Sequence, residues 1–176
     1  MPHYRRIGEV PPKRHTTFAK RGGGLHVEEL MGKEGFSADA SLLYHRHSPS
    51  EIVSVGTWDV TRRSQPNHPL LPRYLRTHEL PARGDAVTGR HLLAINADVA
   101  VTYVVAAEPS PLYRNAIGDE LCYVEAGTAR VETVFGVIDV GPGDLVIIPT
   151  SCTHRWIPTD SKISSRRTTS SDGIQR

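Results

Sequence analysis

The chain has 176 residues, enough for one domain with a real core, and 38% apolar against 23% charged side chains is a globular composition that excludes a disordered chain. The net charge of +2 comes from the last residues, where Lys162, Arg166, Arg167 and Arg176 outnumber Asp160 and Asp172. With no basic stripe carrying interleaved aromatics, nucleic acid is not an expected partner.

No apolar run reaches the ~20 residues of a membrane helix, so no membrane partner is expected either. Residues 1–20 are polar and basic, unlike a secretory leader. Two cysteines without a C-x-x-C build no disulfide framework, and a reducing, cytoplasmic location is expected.

In chain order, residues 1–90 form a first zone, a β/loop region rich in Gly, Pro and His. Gly22-Gly23-Gly24 reads as a loop, since no strand precedes it and no Lys-Ser/Thr follows. Val27–Met31 is too short for a helix and is stopped by Gly32. Tyr44-His45-Arg46-His47 holds an H-x-H whose histidines would share one strand face. No glutamate and glycine follow at matching spacing, so the pair is expected to be structural. Glu51–Val55 and Thr57–Val60 read as short β pieces between turn residues.

Residues 91–158 change character. Val99–Val105 is a β-branched and aromatic run, expected as a buried strand. Glu120–Glu125, Thr128–Val134, Val137–Val140, Asp144–Ile148 and His154–Ile157 follow as short strands, punctuated by Gly127, Gly136 and Gly141-Pro142-Gly143. Such spacing argues for a sandwich or barrel. Residues 159–176 are the third zone. Eight of these 18 residues are Ser or Thr, with Ile163 and Ile174 the apolar exceptions, so a disordered tail is expected.

Two stretches of the second zone carry a pattern. Arg114-Asn115-Ala116-Ile117-Gly118-Asp119-Glu120 leads to Gly127, and Gly143-Asp144 leads through Pro149 to His154. They resemble the half-motifs of a metal-binding cupin, H-x-H-x3-E-x6-G and G-x5-P-x-G-x2-H. Glu120, Gly127, Gly143, Pro149 and His154 keep their places, while Arg114 and Ala116 stand where the histidines belong and Ser151 where the last glycine belongs. The expected fold is all-β, a cupin-like antiparallel barrel or sandwich built from a degenerate, truncated first cupin half. Its pocket is expected to be vestigial, made of Arg114, Ala116, Glu120 and His154, with Arg114 paired to Glu120.

Strand alternation turns Glu120, Cys122 and Val124 inward. Cys152 lies two residues before His154, so Glu120, Cys122, Cys152 and His154 could line one mouth. Thiolate and imidazole suit zinc or ferrous iron; two inert buried thiols are the other reading. A working site needs at least three placed ligands, so neither a metal nor a catalytic residue is expected.

Several blocks then resemble the bacterial homogentisate 1,2-dioxygenases. Arg6-Ile7-Gly8-Glu9-Val10-Pro11-Pro12-Lys13-Arg14-His15-Thr16, Glu28-Glu29-Leu30-Met31-Gly32, Glu34-Gly35-Phe36-Ser37 and Ser41–His47 look like that family's opening. Leu112–Glu120, Pro149-Thr150-Ser151 and Thr153-His154-Arg155-Trp156 look like its first cupin half. The resemblance implies a non-haem iron enzyme that opens homogentisate with dioxygen to maleylacetoacetate, in tyrosine and phenylalanine breakdown. It also implies that the iron, held by two histidines and one glutamate, lies in the second half of the family's chain, so no residue here inherits a ligand role. The expectation is an N-terminal fragment, inactive alone and without a cofactor of its own. Ferrous iron and the small aromatic acid substrate belong to the full-length family. An open strand edge makes a homo-oligomer expected. A non-catalytic small cupin that binds a ligand or a partner chain is the alternative, and a small metalloenzyme using Glu120 and His154 is a third reading.

Overall fold

The computed structural model describes residues 18–32, 34, 37, 40–50, 52–57, 59, 63–161 and 163–170. The chain divides into two compact units, Met1–Val60 and Thr61–Arg176. Thr77–Glu79 is a single 3-10 turn, and no helix of the described residues is long and apolar enough to cross a membrane.

In the first unit, β1 (Val27–Met31) and β2 (Ser41–His45) pair antiparallel, with Val27 opposite His45 and Met31 opposite Ser41. Phe18 packs edge-on against Tyr44, ring centroids 4.4 Å apart. The His45 ring lies 2.7 Å from the Glu29 carboxylate. β2 ends at His45, and His47 is exposed beyond it. The H-x-H is therefore split, with His45 paired to Glu29 and His47 beyond the strand. Residues 52–57 form no strand, against the β pieces expected there. Glu51, Trp58, Val60 and the Arg6–Thr16 block lie outside the described residues.

The second unit is all-β and antiparallel. Its strands are β3 (His91–Ile95), β4 (Val99–Ala106), β5 (Glu120–Ala126), β6 (Ala129–Thr133), β7 (Gly136–Val140), β8 (Leu145–Ile148), β9 (His154–Pro158) and β10 (Ile163–Ser170). One sheet has the order β3-β4-β10-β5-β8, the other β7-β6-β9. The inward positions of both supply one core that includes Val104, Val124, Val131, Val146, Ile148 and Trp156. Each buried valine contributes on the order of 1.5–3 kcal/mol relative to exposure. The expected strands from β4 to β9 are present within a residue or two of their predicted ends. Gly127, at φ +78°, turns β5 into β6 in a conformation that favours glycine.

Two expectations are corrected. The first is the disordered tail at 159–176 and, with it, the missing strand after β9. Ile163–Ser170 is β10, and it lies between β4 and β5, pairing along its length with both. Composition counts only what side chains bury. A central strand also has its backbone donors and acceptors satisfied on two edges, and β-branched threonine suits a strand. Ile163, Ser165 and Arg167 are buried, and Arg166 is exposed. Residues 171–176 lie outside the described residues. The second correction is the boundary at residue 90. The Arg83 amide donates to the Val105 carbonyl and the Ala107 amide to the Gly84 carbonyl. The segment from 83 to 90 thus lies along the end of β4 and belongs with the sheets.

Candidate functional site

The alternation of β5 buries Glu120, Cys122 and Val124 and leaves Tyr123 and Glu125 exposed. The register of β10 sets Ser165 opposite Val124 and Arg167 opposite Cys122, so these side chains share the inward face. On the facing sheet, β9 buries His154 and Trp156. Arg90 arrives from outside both sheets. The Asp85 carboxylate accepts from the Val87 and Thr88 amides, and the Gly89 amide donates to the Asp85 carbonyl, which closes a tight turn. A Cβ at residue 89 would collide with the Arg83 carbonyl oxygen and approach that of Asp85 to 2.8 Å, so the turn requires glycine. Arg90 leaves this turn pointed at Glu120.

Glu120 is the hub. Arg90 Nη1 donates to its Oε1 at 3.1 Å and Nη2 to its Oε2 at 3.0 Å, a bidentate fork. Asn115 Nδ2 donates to Oε1 at 3.3 Å. Arg167 Nη1 stands 3.5 Å from Oε2. Burial pushes the Glu120 carboxyl up, but Arg90 and then Arg167 outweigh it and hold the group below the ordinary glutamate range. Arg90 also lies over the Tyr113 ring, 5.2 Å from its centroid.

Tyr113 in turn sits edge-on to His154 at 5.6 Å. The two backbones exchange hydrogen bonds of 2.8 and 2.9 Å. The His154 ring is fully buried, and its Nδ1 lies 2.9 Å from the Cys152 carbonyl. A carbonyl only accepts, so Nδ1 carries the hydrogen and Nε2 presents a lone pair. Burial holds His154 below the ordinary histidine range and so neutral. Both cysteines are free and buried, and burial pushes the Cys152 thiol up, keeping it protonated.

Of the residues predicted to share a pocket, Glu120 and His154 are both buried, and Cys122 and Cys152 belong to the hydrophobic core. Arg114 and Ala116 are exposed, and Arg90 takes the place expected of Arg114 at Glu120. Arg90, Arg167, Tyr113 and Trp156 were missed as site residues. Arg90 sits in a loop with no periodicity to read. The alternation Ile163, Ser165, Arg167 was the available signal for β10, hidden by its polar residues.

This interior does not fit ferrous iron. Both oxygens of the carboxylate that faces His154 are held by one guanidinium, and a second stands beside it. Among the described residues no three His, Cys, Asp or Glu side chains are grouped so that they could hold a metal ion.

A Bacillus halodurans protein known from a crystal structure, BH2720, superposes with a TM-score of 0.50 at 16% identity, over 62% of this chain and 86% of that one. Two antiparallel sheets, closed over one core with Gly127, Gly143, Pro149 and His154 at the half-motif spacings, decide the architecture. The fold is a cupin-like β sandwich. A cupin superfamily protein of Desulfitobacterium hafniense aligns with this chain at 19% identity and a TM-score of 0.49, over 61% of this chain and 98% of that one. No family model matches the chain. By sequence it is 35% identical over 157 residues to a Saccharolobus solfataricus protein named "Putative dioxygenase SSO1533". The match covers 88% of this chain and 41% of that relative's length.

Proposed function

We propose that the chain is a non-catalytic cupin half of a ring-cleaving dioxygenase of the homogentisate 1,2-dioxygenase type. In this reading the iron chemistry, homogentisate to maleylacetoacetate with dioxygen in tyrosine and phenylalanine breakdown, belongs to a second cupin half. The half described here supplies a rigid scaffold. The carrying observation is the Arg90 fork, which ties both oxygens of the Glu120 carboxylate to one guanidinium, with the Arg167 charge 3.5 Å away. The ordered blocks of family resemblance and the relative named as a dioxygenase support the assignment to this chemistry. A cytoplasmic location suits two buried free thiols.

Metal analysis after anaerobic reconstitution with ferrous iron tests the scaffold role. Far less than one iron per chain is expected, together with no maleylacetoacetate from homogentisate above background. Stoichiometric iron that is lost in His154→Ala would overturn it. The family assignment is tested apart from this, in the DNA that follows: some reading frame is expected to encode a cupin half with two histidine ligands and one glutamate ligand.

A second reading, a small cupin that pairs with another copy of itself, is favoured by one observation. β8 is the edge of its sheet, and its outward residues Leu145 and Ile147 are exposed.

A further inference from the structure

The cupin interior holds more hydrogen-bonding capacity than its own groups use. Arg167 lies on β10 with Thr102 of β4 opposite on one side and Cys122 of β5 on the other. Its guanidinium carbon is 4.4 Å from the centre of the Trp156 ring. The residue is 1% exposed, yet Nε, Nη1 and Nη2 have no hydrogen-bond partner, and neither do Trp156 Nε1 and Thr102 Oγ1 beside it. Glu120 stands at 3.5 Å, an ion pair longer than a hydrogen bond, and its oxygens already accept from Arg90. The Cys122 thiol interacts with the guanidinium, but sulfur is only a weak acceptor and leaves most of its donors unmet.

Two guanidiniums therefore face one carboxylate around a neutral histidine. Arginine does not lose its proton in a protein, so among the described residues one positive charge is left over beside the Glu120 carboxylate. Each buried donor without a partner costs about 1–3 kcal/mol, and more when charged. Orphans of this kind call for an explanation, an ordered water or a bound ion among them. The stacking of Arg167 on the Trp156 face leaves its in-plane N–H groups directed past the ring.

We propose that Arg167, together with the Trp156 N–H and the Thr102 hydroxyl, forms a binding site for a small monocarboxylate of formate or acetate size. The planar guanidinium fork matches two carboxylate oxygens. The bound charge neutralises the interior. His154 Nε2, also unpartnered, presents a lone pair and takes no part. The site stands apart from the dioxygenase reading and does not depend on it.

Trp156 is the reporter. The sequence holds one other tryptophan, Trp58, so the titration uses a Trp58→Phe chain. Sodium formate is added at constant ionic strength held with gluconate, a carboxylate too large to enter. The donors are screened from solvent, so each point is read after equilibration. A saturable change in Trp156 fluorescence is expected, with a melting temperature that climbs as formate rises past half-saturation. Both responses disappear in Arg167→Met. In Thr102→Val, which keeps the guanidinium and serves where Arg167→Met does not fold, half-saturation weakens several-fold. The proposal is overturned by a formate response no different from gluconate, by an unchanged response in Thr102→Val, or by a response that survives in Arg167→Met. Saturation by chloride as strong as that by formate would refute the carboxylate class.

Discussion

Ser151 occupies the glycine position of the second half-motif, and its φ is +68°. That left-handed conformation costs a side-chain-bearing residue roughly 1–2 kcal/mol, partly returned by the entropy that glycine loses on folding. Ser151→Gly is therefore expected to raise stability by about 0.5–1 kcal/mol in denaturant melts; equal or lower stability would show that the serine side chain compensates locally. At Glu120 and His154 the same scale sets the pH response. Both folded pKa values are depressed, from 4.5 for Glu120 and from 6.5 for His154, so the unfolded chain binds more protons in each window. The His154 contribution is complete above pH 6.5 and fades as pH falls through the folded value; that of Glu120 is complete above pH 4.5 and is lost in stronger acid. Denaturant melts across this range should show stability declining in two stages on acidification. His154→Gln should flatten the upper stage and leave the lower one. Stability that rises as pH drops below 6.5 would contradict the buried, neutral histidine.

At the scale of elements, β10 joins the five-stranded sheet by pairing with β4 and β5 together. A chain ended at Ser161 loses that strand and uncovers inward side chains of both neighbours. It is expected to lose cooperative unfolding and to bind a hydrophobic dye, whereas the full chain melts in one transition. Trypsin should spare the bond after Arg167, which is buried. A truncated chain that melts as sharply as the full one would mean that β4 and β5 close without β10. Strands β4 to β9 were legible because their apolar alternation and glycine turns are local signals, as in Glu120, Cys122 and Val124 ahead of Gly127. β10 was not, because its order comes from two partner strands distant in sequence. For the same reason the inward placing of Glu120 and His154 was legible while the cations beside Glu120 were not. Arg90 reaches Glu120 only through the turn that Gly89 permits, and Arg167 only through the register of β10.

At the scale of the molecule, apolar surface remains uncovered. Leu70 is 89% and Tyr74 82% exposed, and the outward face of β8 adds Leu145 and Ile147 beside exposed Tyr123 of β5. Such a patch next to an unpaired strand edge is a template for association. Under the proposed pairing of two copies through β8, light scattering should detect dimers whose share grows with concentration. Leu145→Lys with Ile147→Lys places charge on the outward face of that edge and should return the monomer without lowering its melting temperature. A wild-type chain that stays monomeric at high concentration would rule out the pairing.

The place of β10 also dictates when this sheet can be completed. During synthesis, at roughly 5–20 residues per second, β4 and β5 leave the ribosome well before the strand that must lie between them. In the completed sheet they are not neighbours, since each takes a different edge of β10. Until Ile163–Ser170 has emerged, the nascent sheet carries an unfilled slot, and the pairing that fills it is non-local and therefore slow. The most polar strand of the sandwich is thus its keystone, although it is the last of the described strands to be made.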